Sequence, residues 1–103
     1  MSKIAWTGLL LVGFALSASA QKDPKDLYLD KCSACHGPDG AGQTAKGKKL
    51  KMKGVKETVA KMSAADMIKI VQNGKGTDMD AYGKEFNADQ IKGLVEYYRG
   101  LAK

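Results

Sequence analysis

The sequence is poor in the residues that build most metal and catalytic centres. It has one histidine, His36, and two cysteines, Cys32 and Cys35. Cys35 and His36 are adjacent, so these three residues cannot furnish the four ligands of a structural zinc site. Its one tryptophan, Trp6, lies in the N-terminal apolar stretch. No run of alternating apolar and polar residues reads as a strand, which removes the βαβ setting that a thioredoxin-type cysteine pair needs. Acids are in the minority, 11 against 17 basic residues, for a formal charge of +6. The basic segments lack interleaved aromatics, so nucleic acid is not an expected partner.

What is present is concentrated at residues 32–36. Cys32-Ser33-Ala34-Cys35-His36 has the C-x-x-C-H spacing of a covalent attachment site for c-type haem. Thiols three residues apart sit within one helical turn of each other and face the same way. Each can form a thioether with one of the two vinyl groups on a porphyrin edge. His36, four residues after Cys32, lies on that same face, where its imidazole would come under the iron. A redox pair, a zinc site and a plain disulfide are the alternatives. A disulfide across so short a loop would constrain almost nothing.

The first twenty residues have the form of a secretory leader. Lys3 supplies a positive start, residues 4–16 are mostly apolar, and Ser17-Ala18-Ser19-Ala20 offers an A-x-A cleavage site before Gln21. An uncleaved anchor is the competing reading, but the apolar stretch is at the lower edge for spanning a bilayer. No cysteine follows closely enough for a lipid anchor. The expected division is a signal peptide at residues 1–20 and one domain at 21–103, exported to the periplasm, with no stable membrane insertion after cleavage. Removal of the leader takes away Lys3 and no acid, so the charge falls from +6 to +5. A domain this small buries a thin core and often needs a staple. A covalent haem would be that staple.

Asp23 and Pro24 open a first helix, with Asp26 in its first turn. Tyr28, Cys32 and Cys35 then follow at i, i+4 and i+7. Residues 37–54 hold five glycines and little periodicity, and are expected to wrap one side of the cofactor as a loop. A backbone carbonyl of that loop is expected to accept the second ring hydrogen of His36. Lys46, Lys48, Lys49, Lys51, Lys53 and Lys56 form a basic run, read either as a solvated face or as a docking patch for acidic partners. Val55, Val59 and Met62 suit a short helix. Ser63 caps another, with Met67, Ile70 and Val71 on its apolar face and Asn73-Gly74 at its end. Asn87 caps the last, where Ile91, Leu94, Val95, Tyr98 and Leu101 make the strongest helical stripe.

With one histidine, a bis-histidine haem is excluded within one chain. Met67 fits a helical core face and Met62 the same stripe, while Met52 stands among lysines. Met79 lies in a polar loop, residues 75–83, with no apolar stripe to join. Its thioether is the expected distal ligand, with Met52 next. Sulfur opposite imidazole raises the reduction potential and suits electron transfer.

These residues resemble the class I cytochromes c, of the small bacterial monohaem kind. The likeness runs over residues 23–103, on Cys32 to Gly40, Gly76 to Tyr82 and Asp89 to Leu101. It implies an all-α small cytochrome c fold, with three to four short helices wrapped around one covalently bound haem. It implies thioethers at Cys32 and Cys35, iron ligands at His36 and Met79, and a first and last helix crossing at Tyr28 and Tyr97. The family commonly has proline after the distal methionine, where this chain has Asp80. The expected function is an electron carrier for redox partner proteins with acidic surfaces facing Lys46–Lys56, not an enzyme. The alternative is a haem-bearing subunit, sensor or enzyme whose labile distal ligand admits peroxide or small gases.

Overall fold

The computed structural model describes residues 22–103, so the leader and its cleavage site lie outside the described residues. Six helices follow in order: α1 Pro24–Lys31, α2 Ser33–His36, α3 Ala45–Lys49, α4 Val55–Lys61, α5 Ala64–Asn73 and α6 Ala88–Gly100. No strand forms among the described residues; Lys75 and Met79 make one isolated antiparallel bridge. No helix among them is long and apolar enough to cross a membrane.

The count exceeds the three to four helices of the sequence reading for two local reasons. The first helix is interrupted at Cys32, whose φ of −116° ends α1, although Cys32 N–H still bonds the Tyr28 carbonyl. The glycine-rich stretch also contains a helix. Thr44 caps α3 by accepting from Gly47 N–H at 2.9 Å. Residues 37–54 are therefore not structureless throughout.

The helix ends follow their capping residues. Ser63 Oγ accepts from Asp66 N–H at 3.1 Å to start α5. At α6 the Asn87 side chain accepts from Gln90 N–H, and the Gln90 side chain accepts from Asn87 N–H, satisfying two free donors at once.

The core is built where α6 crosses α1. Ile91, Leu94 and Val95 bury the stripe of α6, and Leu27 and Tyr28 meet it from α1, with Phe86 joining from the approach to α6. Side chains of this size contribute about 1.5–3 kcal/mol each when fully buried. The Tyr28 and Tyr97 rings lie 5.3 Å apart at the crossing, tilted by 49°. Gly93 lets the helices approach: a Cβ there would come within 3.0 Å of Pro24 Cγ. α5 packs on another side of α6, and the space left between these helices is the site.

Candidate haem site

Of the C-x-x-C-H residues, Cys32 stands at the junction of α1 and α2, and Cys35 and His36 lie on α2. Tyr28, Cys32 and His36, each four apart, all line a cavity of about 390 Å³. Cys35 does not. It lines a smaller neighbouring cavity of about 90 Å³, which shares Cys32, His36, Met52, Asp78 and Met79 with the first. Three residues on from Cys32, its side chain is turned roughly 60° round the helix. The two thiols thus bracket one edge of the space rather than pointing at the same spot. Both are free, not joined in a disulfide.

The far wall of the larger cavity is apolar, with Met67, Ile70 and Val71 from α5 and Leu94, Val95 and Tyr98 from α6. The apolar faces read from the sequence as ordinary core therefore have a second role as cavity wall. Lys51, Lys53, Lys61 and Lys75 line the same cavity together with Glu57 and Asp78.

The segment after His36 is held by short bonds. Tyr28 Oη donates to the Gly37 carbonyl at 2.7 Å, and Gly42 N–H donates to the His36 carbonyl at 2.8 Å. Thr44 Oγ1 donates to the Cys35 carbonyl at 2.6 Å while capping α3. Gly47 makes that docking possible, because a Cβ there would clash with the Gly42 carbonyl and lie 2.8 Å from the Cys35 carbonyl. Thr44 was not singled out from the sequence. Its signal, a threonine three residues before the glycine it caps, is weak.

His36 departs from its expected pairing. Its Nδ1 is buried without a hydrogen-bond partner, so no loop carbonyl accepts from it in this structure. The Gly37 carbonyl is taken by Tyr28, and the His36 carbonyl by Gly42. The ring packs edge-on to Tyr98, with centroids 5.3 Å apart. Burial holds its pKa below the usual histidine value, which favours the neutral imidazole a metal needs. Burial, with Cys35 adding to it, pushes the Cys32 thiol up to about 11.

The Met79 loop is less free than its composition suggests. Lys75 N–H donates to the Met79 carbonyl at 2.9 Å, closing a tight turn. Tyr82 and Gly83 N–H donate to the Val71 and Gln72 carbonyls, which would otherwise be unpaired at the end of α5. Gly74, at φ +76°, lets the chain fold back: a Cβ there would lie 2.7 Å from the Met79 carbonyl. Tyr82 stacks on Phe86, and its hydroxyl reaches the Lys31 carbonyl at 3.4 Å. A ladder of backbone bonds thus fixes Met79 against both cavities.

The donor set fits a haem. A soft thioether, a half-buried imidazole whose buried Nδ1 has no partner and a thiol all line one cavity with an apolar wall. Residues 19–97 match the family described as cytochrome c oxidase, cbb3-type, subunit III. The chain belongs to this family. A solved structure, the KustC0563 c-type cytochrome, is similar at 31% sequence identity and a TM-score of 0.73, over 80% of this chain and all of that one. No curated protein matches the chain. As a c-type cytochrome it carries covalently bound haem c with iron, and its general role is that of a haem-bearing electron carrier. Of the expected site residues, Cys32, His36 and Met79 share the larger cavity and Cys35 the smaller. Met52, Met62 and Met67 also line the larger one.

Proposed function

We propose that this c-type cytochrome is a periplasmic carrier that passes one electron at a time between redox proteins, with no substrate chemically changed. The observation that carries the reading is the meeting of His36 and Met79 in one cavity lined also by Cys32. Haem c supplies the ferrous–ferric couple. Cys32 and Cys35 would tether it by thioethers, and the His36 imidazole and the Met79 sulfur would hold its iron. The apolar wall from α5 and α6 keeps water away, which raises the potential by disfavouring the more charged ferric state. A sulfur ligand acts in the same direction.

Export follows from the leader at residues 1–20. The partners are proteins with acidic surfaces. Lys46, Lys48, Lys49, Lys51, Lys53 and Lys56 are all exposed, and of these Lys53 forms an ion pair, with Glu57 at 3.8 Å. Unpaired surface charge of one sign raises encounter rates with the opposite sign and gives them salt dependence.

The test is optical and mass measurement on protein expressed with export. The expected mass is residues 21–103 plus one haem. The expected ferric spectrum is six-coordinate and low-spin, with the weak sulfur-to-iron band. Met79→Ala should abolish that band, and Met52→Ala should not. A colourless product, or a high-spin one that binds carbon monoxide readily, would overturn the proposal.

A further inference from the structure

Four thioethers line the larger cavity: Met52, Met62, Met67 and Met79. An iron held there by His36 has more than one sulfur to choose from. Met67 differs from the others in having a donor on its sulfur. Arg99 Nη1 donates to Met67 Sδ at 3.8 Å and to the Met62 carbonyl at 3.1 Å. Arg99 stands near the C-terminus of α6, is half-buried, and does not itself line the cavity. No carboxylate pairs with it among the described residues. Its charge is therefore spent on two residues of the cavity wall.

We propose that Arg99 is a positioning residue that keeps the Met67 sulfur out of the iron's coordination and leaves the distal place to Met79. The inference rests on the His36 and Met79 reading above. Methionine is unbranched and flexible, so burial alone does not fix where its sulfur points. A cationic donor does two things. It holds one rotamer, and it draws electron density from the lone pair that would otherwise bind a second cation. The bond to the Met62 carbonyl adds a backbone anchor. It pins the turn between α4 and α5, and α5 then delivers Met67 through the bond from Met67 N–H to the Ser63 carbonyl at 3.1 Å.

The experiment uses haem-loaded, exported protein and reads the sulfur-to-ferric-iron band, with far-UV circular dichroism to show folding. Met79→Ala alone should lose the band. Met79→Ala with Arg99→Ala should regain it in a substantial fraction of molecules, since alanine keeps the helix while removing the donor. Adding Met67→Leu should abolish it again. A folded double variant with no band overturns the proposal. So does a band that survives in Met79→Ala alone and disappears on Met67→Leu. Failure of the underlying reading looks different: the band survives Met79→Ala and is lost in Met52→Ala, and the same Arg99 and Met67 series is then run in the Met52→Ala background. Methyl-labelled methionine NMR on the Arg99→Ala single variant gives a second readout. The Met67 methyl signal should shift, and an unmoved signal overturns the proposal even if the double variant does not fold.

Discussion

The Tyr28 hydroxyl donates to the Gly37 carbonyl at 2.7 Å, one residue past His36. This buried bond joins the first helix to the segment that leaves His36. Tyr28 also packs against Tyr97 and Tyr98 of the last helix. One side chain thus couples the helix crossing to the placement of the histidine.

Tyr28→Phe should keep the packing and leave the Gly37 carbonyl with one donor, Gly40 N–H at 3.1 Å. Loss of one such hydrogen bond costs about 0.5–1.5 kcal/mol. Thermal unfolding of the holo protein should show a lowered midpoint with the visible spectrum nearly unchanged. An unaltered midpoint would mean that water replaces the hydroxyl.

The same tyrosine carries a pH dependence. Burial raises its pKa above the usual value, and Glu85, 3.0 Å from Lys31, raises that of Lys31. For both groups the folded value lies above the unfolded one. Their stabilisation is complete below the unfolded values, near pH 10, and is lost as pH rises towards the folded ones. Stability should fall above about pH 10. Denaturant midpoints measured from pH 8 upward should decline less steeply in Tyr28→Phe than in the parent.

Gly74→Ala and Gly76→Ala form a matched pair. Both glycines have positive φ, +76° and +56°. A residue other than glycine at such a conformation costs on the order of 1–3 kcal/mol, and Gly74, with ψ −174°, lies in a region essentially confined to glycine. At Gly74 the new Cβ would also meet the Met79 carbonyl at 2.7 Å, whereas at Gly76 nothing lies within 4 Å. Gly74→Ala should therefore weaken the sulfur band as well as stability, and Gly76→Ala should affect stability alone.

Asp80 follows Met79 and lines the smaller cavity. A carboxylate beside the site favours the ferric state. Asp80→Asn should raise the midpoint potential by an amount on the order of tens of millivolts, because the charge is partly screened by solvent. Asp80→Pro should also slow exchange of the distal ligand, which binding of imidazole in stopped flow would report.

Reversing Lys48 and Lys49 to glutamate should slow electron transfer with an acidic partner by about tenfold at low ionic strength, and the difference should shrink as salt is added. Stability should change little, because both side chains are exposed and neither forms an ion pair among the described residues. A rate that is unchanged at low salt would assign the basic run to solvation.

Local signals determined much of this protein. The C-x-x-C-H spacing, the caps at Ser63 and Asn87, and the 3.6-residue stripe from Ile91 to Tyr98 each act within a turn or two of helix, so they are legible along the chain. The tertiary structure decided what depends on distant partners. Met67 and Met79 are the same residue type, and periodicity separates them only by helix and loop. It took the docking of α5 on α6 to place both on one cavity and to give the Met67 sulfur a donor from Arg99. The one-turn helix α3 likewise exists because Gly47 can press against the Cys35 carbonyl, and the Met79 loop is rigid because its N–H groups complete the end of α5. Backbone groups carry no sequence identity, so where they pair across the fold is settled only when the helices have packed.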